Sequence, residues 1–224
     1  MYNGSVAVSA VNENGQNTYT TLQVGDIWYF PKGVAHTIVG LADQSEYLLV
    51  FDDGNFDALG TTFNLDDWLT HTPIDILAKN FGVNASIFNS VPKTDPYIVP
   101  GNGSSEGIVS PYGTLNGTSS YVYSLRTNPP QPVPGGGGTF AKIDSTNFPI
   151  ATTIAATYVT LKPGGLRELH WHPNADEWLY FHQGTGRATV FLGSSTARTF
   201  DFSAGDTAVF PDNSGKSHMY CSNP

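Results

Sequence analysis

The sequence has few charged residues, one cysteine and no long apolar run. Lys, Arg, Asp and Glu make up 13% of its 224 residues, and the formal net charge is −9. Nucleic-acid binding needs clustered positive charge, which an acidic chain with scattered Lys and Arg does not supply. No apolar segment reaches the roughly 20 residues with which a helix crosses a membrane. We therefore expect neither a nucleic acid nor a membrane as a partner.

The single cysteine limits the chemistry further. Because Cys221 has no partner in the chain, an internal disulfide and a cysteine-ligated zinc site are both excluded. Residues 1–20 show neither the basic start nor the continuous apolar core of a signal peptide. Four Asn-x-Ser/Thr sequons nevertheless favour a secreted parent protein, with chance occurrence in Gly- and Asn-rich turns as the alternative. They begin at Asn3, Asn84, Asn102 and Asn116.

Glycine, proline and β-forming residues dominate what is present. The 24 Gly and 15 Pro, together with many Thr, Val, Tyr and Phe, predict short strands joined by tight turns. One segment differs, because "LDDWLTHTPIDILAKNFGV" has apolar residues at helical intervals and predicts two short helices separated near Pro73. Residues 91–138 are rich in Pro, Gly, Ser and Asn, which predicts a long and mostly irregular crossing between two domains.

Two segments of the chain repeat one pattern. "VGDIWYFPKGVAH" at 24–36 and "AGDTAVFPDNSGKSH" at 204–218 share a small residue, Gly-Asp, an apolar strand and Phe-Pro before a turn. Repetition of a whole supersecondary pattern indicates an internal duplication of a β domain.

The stretch "GGLRELHWHPNADEWLYFHQG" at 164–184 contains a candidate metal site. Side chains alternate faces along a strand, so His170 and His172 project the same way, and Glu177 follows a turn that returns the chain towards them. Imidazole and carboxylate together suit Mn, Fe, Zn, Ni or Cu, and the ligand types do not choose among these metals. The alternative is a pair of strand histidines that hydrogen-bond to backbone or water.

The spacing of these residues resembles that of a known family. The first cupin motif is Gly, five residues, His-x-His, four residues, Glu, six residues, Gly, and the second is Gly, five residues, Pro-x-Gly, two residues, His. With "RELHWHPNADEW", "GDIWYFPKGVAH" and "LLVFDDGNF", nearly the whole chain resembles the bicupin oxalate decarboxylases of the cupin superfamily. The matching residues are Gly164, His170, His172, Glu177 and Gly184 for the first motif, and Gly25, Pro31, Gly33 and His36 for the second.

This resemblance implies an all-β bicupin fold of two double-stranded β-helix (jelly-roll) barrels. Both barrels are expected to be incomplete in this chain, which we interpret as an internal fragment. We expect the C-terminal part of the first barrel and the short helices at 1–90, the crossing and linker at 91–138, and the N-terminal part of the second barrel at 139–224. For such a fragment alone we expect no activity, and aggregation through exposed strand edges.

The resemblance also implies a chemistry and roles for residues. In that family each barrel binds manganese through three histidines and one glutamate, and oxalate is converted to formate and carbon dioxide with dioxygen as a redox cofactor. His170, His172 and Glu177 would then be metal ligands of the second barrel, His36 would be the fourth ligand of the first, and Arg167 would bind oxalate. Strict alternation places Arg167 opposite His170, so its role requires a bulge or strand end between them. A surface salt bridge is the alternative for Arg167.

The chain departs from the family pattern at three places. The first barrel's His-x-His and Glu do not occur before residue 25, and Lys216 stands where the second barrel should have a histidine. His218, two residues later, is the remaining candidate for that fourth ligand. The lid segment "DDGNFDALGTTFNLDDW" has no glutamate between Phe56 and Phe63, which leaves Asp57 as the nearest acidic substitute for the family's proton donor, or as a solvated turn residue.

Three functions are compatible with these observations. The first is an oxalate decarboxylase, a carboxy-lyase that is a homo-oligomer when full length. The second is an oxalate oxidase that produces carbon dioxide and hydrogen peroxide. The third is a non-enzymatic storage or binding cupin, against which the intact group of His170, His172 and Glu177 argues.

Overall fold

A computed structural model describes residues 1–58, 60–101 and 109–221, with side chains given as far as residue 216 in the last strand. The chain divides into two compact units, one of Met1–Leu48 with Ser105–Pro224 and the other of Leu49–Ser104.

Fourteen strands lie in the described part of the first unit. In chain order they are β1 Ser5–Val11, β2 Asn17–Gln23, β3 Asp26–Trp28, β4 Ala35–Gly40, β5 Val122–Ser124, β6 Gln131–Pro132, β7 Gly138–Ile143, β8 Ala156–Leu161, β9 Leu166–His170, β10 Glu177–Tyr180, β11 Thr185–Phe191, β12 Ala197–Ser203, β13 Thr207–Phe210 and β14 Gly215–Cys221.

These strands form five antiparallel sheets in the described residues, and none of the five closes on itself. The sheet orders are β2-β1-β4, β3-β5, β6-β7-β8, β10-β13 and β12-β11-β14-β9. The predominance of short antiparallel strands confirms the predicted all-β class, and the open sheets agree with barrels that are incomplete in this chain.

The internal duplication is visible in the strand register. The pairing of β1 with β2 begins at Ser5 and Gln23, and the pairing of β11 with β12 begins at Thr185 and Ser203, so both members are displaced by 180 residues. The same displacement relates the pairing of β1 with β4 to that of β11 with β14. Two sheets of identical register at a constant offset are the expected result of duplication.

The Gly-Asp turn repeats with its hydrogen bond. Gly25 and Gly205 both have left-handed backbone angles, with φ of 88° and 95°, which favour glycine. The carboxylate of Asp26 accepts a hydrogen bond from the backbone N–H of Gln23 at 2.9 Å, and that of Asp206 accepts one from Ser203 at 2.7 Å. The shared turn thus places β3 and β13 at equivalent positions.

The cores of the two halves are also equivalent. Val8 and Leu22 are buried in one cluster, and their counterparts Ala188 and Phe202 are buried in another. Ala188 is smaller than Val8 and Phe202 is larger than Leu22, so these buried positions have changed size in opposite directions. The duplicated strands have therefore kept their packing while their sequences diverged.

A ring contact joins the two halves within the first unit. The ring of Tyr2 stacks on His182, its counterpart at the 180-residue offset, with centroids 4.5 Å apart, and also stacks on Tyr180. Burial, together with the neighbouring Tyr180 and Tyr158, raises the pKa of Tyr2 to about 12. His182 is therefore engaged in packing.

The segment 91–138 contributes more than an irregular crossing. Strand β5 pairs with β3, and Leu115, Tyr121 and Leu125 are buried. The placement of the boundaries at 90 and 138 stays a prediction.

The second unit contains both α-helices of the described residues, and a short 3-10 helix, Gly117–Ser119, lies in the first unit. Helix α1 spans Leu65–Thr70, helix α2 spans Ile74–Phe81, and a 3-10 helix spans Ala85–Ser90. The predicted break near Pro73 is confirmed, since Pro73 caps the start of α2 and Gly82, at φ 66°, ends it. No helix in the described ranges combines the length and apolar character needed to span a membrane.

Candidate metal centre

The predicted ligands lie where strands of two sheets approach each other. His170 ends β9 and Glu177 begins β10, and His172 lies in the connection between these strands. The turn that follows β13 holds this connection, because the backbone N–H of Asn213 donates to the carbonyl oxygen of His172 at 2.9 Å. The N–H of Asp212 donates to the carboxylate of Asp176 at 2.8 Å. Both bonds hold the connection between β9 and β10, which contains His172, against the turn that follows β13.

The three side chains converge on one point. Oε2 of Glu177 lies 2.8 Å from Nε2 of His172 and 3.6 Å from Nε2 of His170. One nitrogen or oxygen atom from each residue lies within 4.8 Å of the other two, and this is the one such group of His, Cys, Asp and Glu within the described residues. The predicted convergence is therefore present. That the group binds a metal stays a prediction.

The ring orientation of His170 suits coordination through Nε2. Its Nδ1 lies 2.7 Å from the backbone carbonyl oxygen of Glu168. Because a carbonyl oxygen only accepts hydrogen bonds, Nδ1 carries a proton, and in the neutral ring Nε2 then carries the lone pair. Metal-ligating histidines in proteins commonly have their second ring nitrogen held in this way.

The two other ligands are paired with each other. In the present arrangement the Nε2–H group of His172 donates a hydrogen bond to Glu177, whose side chain is 17% exposed. This proton has to move, within the neutral ring from Nε2 to Nδ1, before Nε2 of His172 can bind a cation.

Lys216 reaches the same point from β14. It pairs directly with His170 across the sheet, its side chain has no exposed surface, and its Nζ lies 3.2 Å from Oε2 of Glu177. The donor set therefore fits a metal at three positions, while the position at which the family has a fourth histidine holds an amine. Sequence reasoning identified Lys216 as a missing histidine but did not predict its contact with Glu177.

The bulge that Arg167 requires is present. Strand β9 pairs His170 with Lys216 but Arg167 with His218, so three steps on β9 match two on β14. Such an irregularity breaks strict alternation between Arg167 and His170. The guanidinium of Arg167 lies 5.6 Å from the ring centroid of Phe140, a cation–π contact. Its predicted binding of substrate is not tested by this geometry.

The remaining predicted residues are not members of this group, or have side chains outside the described residues. His36 is exposed on β4, its Nδ1 lies 2.8 Å from the carbonyl oxygen of Val34, and its ring stacks on Phe30. Asp57 is an exposed turn residue of the second unit. The backbone of His218 pairs with Arg167, but its side chain lies outside the described residues, so its role as a ligand stays a prediction.

Duplicated antiparallel β-sheets that bring two histidines and a glutamate together are the arrangement expected of a β protein that can bind a metal. The chain belongs to the cupin family, whose model, described as Cupin, matches residues 1–87 and 125–219.

Curated relatives and solved structures narrow the comparison. The chain is 54% identical over 215 residues to a "Probable oxalate decarboxylase" of Arthroderma benhamiae (96% of this chain, 53% of that protein). It is 41% identical over 215 residues to "Oxalate decarboxylase OxdC" of Bacillus subtilis (94% and 54%). A structure of the Bacillus subtilis oxalate decarboxylase at pH 4.6 matches with a TM-score of 0.86 and 39% identity (98% and 57%).

These matches confirm the predicted resemblance to the bicupin oxalate decarboxylases. The chain spans about half the length of the curated relatives that it matches.

Proposed function

We propose that the protein containing this chain is a manganese-dependent oxalate decarboxylase, a carboxy-lyase that forms formate and carbon dioxide. The observation that carries the proposal is the identity of 41–54% to proteins named oxalate decarboxylases over at least 94% of the chain. The convergence of His170, His172 and Glu177 within 4.8 Å supports it, because a structural role does not require such a group.

In this proposal His170, His172 and Glu177 hold the metal of the second barrel, and His36 contributes to that of the first. A bound redox-active metal with open positions would polarise a carboxylate and, with dioxygen as the redox cofactor, ease electron removal from oxalate. Imidazole and carboxylate donors are compatible with manganese, and the choice of manganese comes from the family resemblance.

Arg167 is proposed to bind oxalate. A guanidinium binds a carboxylate through two parallel hydrogen bonds and stabilises negative charge that redistributes during the reaction. The bulge between Arg167 and His170 supports this role, because it breaks the alternation that would otherwise hold Arg167 on the opposite face.

An oxalate oxidase is the second candidate, favoured by the lid segment. No glutamate lies between Phe56 and Phe63, so the family's proton donor is absent and Asp57 is the nearest acid. Without a positioned acid, a formate-level intermediate lacks a proton source and is more exposed to oxidation.

Product analysis distinguishes these functions. The full-length protein loaded with manganese is supplied with oxalate, and formate and hydrogen peroxide are both measured. We expect formate as the main product, and a shift towards peroxide in Asp57→Ala but not in Asp43→Ala, an exposed control. Peroxide in near-equal amount to the oxalate consumed would refute the decarboxylase, and unchanged formate in Asp57→Ala would remove Asp57 from the mechanism. A purified protein without bound metal or turnover would indicate a storage or binding cupin.

Secretion and homo-oligomer formation are part of the same proposal. The sequon residues Asn3, Asn84 and Asn116 are exposed, as glycosylation requires, and Asn102 lies outside the described residues. A loss of mass after glycosidase treatment of protein collected from the culture medium would support secretion. Size-exclusion chromatography with light scattering would report the oligomer.

A further inference from the structure

Lys216 occupies the place of a proposed metal-ligating histidine in the duplicated fold. Its counterpart at the 180-residue offset is His36, and the turns before both residues match, with φ of 79° at Gly33 and 57° at Asn213. His36 stacks on Phe30, with ring centroids 4.0 Å apart, and Nζ of Lys216 lies 5.5 Å from the ring centroid of Phe210, the counterpart of Phe30. The two positions are therefore structurally equivalent, but an imidazole, which can donate a lone pair to a metal, stands at one and the ammonium group of a lysine at the other.

The side-chain nitrogen of Lys216 lies close to the carboxylate oxygen of Glu177 that faces the two histidines. Oε2 of Glu177 is the oxygen that lies nearest both histidines, and Nζ of Lys216 lies 3.2 Å from it. The lysine side chain has no exposed surface, so its ammonium cannot turn out into solvent without local rearrangement.

We propose that Lys216 is a built-in competitor of the metal in the second barrel. Its ammonium neutralises Glu177 in place of a divalent cation, and like charges repel, so a metal that binds Glu177 has to displace Lys216 from that oxygen. The inference rests on the proposed metal site of His170, His172 and Glu177. It adds that this site binds divalent cations weakly while residue 216 is lysine.

Metal titration of the full chain and three variants tests this competition. Binding of Mn²⁺ is followed by the loss of the free-ion electron paramagnetic resonance signal and by metal analysis after equilibrium dialysis. Lys216→Met removes the charge and keeps the apolar stem, Lys216→His restores a fourth donor, and Lys162→Met changes an exposed lysine as the control.

We expect Lys216→Met to bind Mn²⁺ at least tenfold more tightly than the unsubstituted protein, Lys216→His more tightly still, and Lys162→Met unchanged. Equal or weaker binding by a folded Lys216→Met protein would overturn the competition and would indicate a lysine that supports the site. Absence of Mn²⁺ binding in all four proteins would overturn the metal site together with the competition. Intact Mn²⁺ binding without oxalate turnover by the full-length protein would count against the proposed function alone.

A second measurement does not depend on a variant folding. The unsubstituted protein is treated with an amine-reactive acetylating reagent with and without saturating Mn²⁺, and acetylation of Lys216 is quantified by peptide mass spectrometry, with Lys162 as the internal reference. Displacement by metal predicts at least a threefold rise in Lys216 acetylation. Unchanged or reduced acetylation with metal bound would refute displacement.

Discussion

Asp26 provides a sharp stability test, because it is a buried carboxylate that closes the first of the two duplicated turns. Its side chain is 1% exposed, and Arg126 donates to it from Nη2 at 2.7 Å and from Nε at 3.3 Å. Asp26→Asn keeps the size of the side chain but removes the charge and places an amide NH2 among donors. The Arg126 charge would then lack its partner.

The expected loss is about 3 kcal/mol in the free energy of unfolding. Removing one member of a buried ion pair costs about 3–5 kcal/mol, and the half-exposed Arg126 places this pair at the lower end. In a domain of this size that loss lowers Tm by about 6–12 °C. Asp201→Asn is the matched control, because Arg187 contacts Asp201 with the same two-bond geometry at the protein surface, and we expect its urea midpoint to be unchanged.

The pH dependence of the free energy of unfolding provides a second test of the Asp26–Arg126 pair. Burial alone raises the pKa of Asp26, but hydrogen bonds from Arg126 and Ser124 outweigh burial and hold that pKa below its ordinary value. The stabilisation is therefore present above the ordinary value of about 3.9 and is lost as the pH falls through the lower folded-state value. The difference in the free energy of unfolding between the unsubstituted protein and Asp26→Asn should become smaller at acid pH. Equal urea midpoints for Asp26→Asn and Asp201→Asn at pH 7 would refute the reasoning from burial.

Two further predictions concern the proposed metal and substrate. Glu177→Gln should lower the Mn²⁺ content of the protein, because a neutral amide is a weaker ligand than a carboxylate. The exposed Glu168→Gln is the control and should leave the Mn²⁺ content unchanged. Equal metal content in the two variants, measured by elemental analysis, would contradict the ligand assignment. Arg167→Lys should raise KM for oxalate about tenfold with metal content unchanged, because an ammonium lacks the planar fork of a guanidinium; an unchanged KM in steady-state kinetics would remove Arg167 from the substrate site.

The sequence predicted those features that depend on short-range spacing. The His-x-His spacing and a turn before Glu177 were sufficient to predict that His170 and His172 lie near that carboxylate, although His172 lies in the connection after β9 and not on the strand. The helix break at Pro73 follows from the fixed backbone angle of proline, and the duplication was readable from Gly-Asp and Phe-Pro.

Features that depend on distant pairing were not predictable in the same way. Strand β5 pairs with β3 across nearly 100 residues, and its three residues are too few to show a period that distinguishes it from a loop. Arg126 reaches Asp26 because of that pairing. The contact of Lys216 with Glu177 depends on the register of β14 against β9 and on the reach of a long side chain. Neither the strand register nor the reach of a side chain can be derived from the spacing of residues in the sequence.

The comparison of the two halves explains how a ligand position can change without loss of the fold. Core positions stayed buried while their side chains changed size, since Phe202 is larger than Leu22 and Ala188 is smaller than Val8. Residues 36 and 216 face a different constraint, since residue 36 has to pack against the ring of Phe30 and residue 216 against the ring of Phe210. An imidazole does so by stacking, and an ammonium does so through a cation–π contact worth about 0.5–2 kcal/mol. The ion pair with Glu177 then compensates the buried charge of Lys216. Stability therefore permits lysine at a position where the proposed metal coordination calls for histidine, so the two properties should separate in Lys216→His, with metal affinity changing more than the free energy of unfolding.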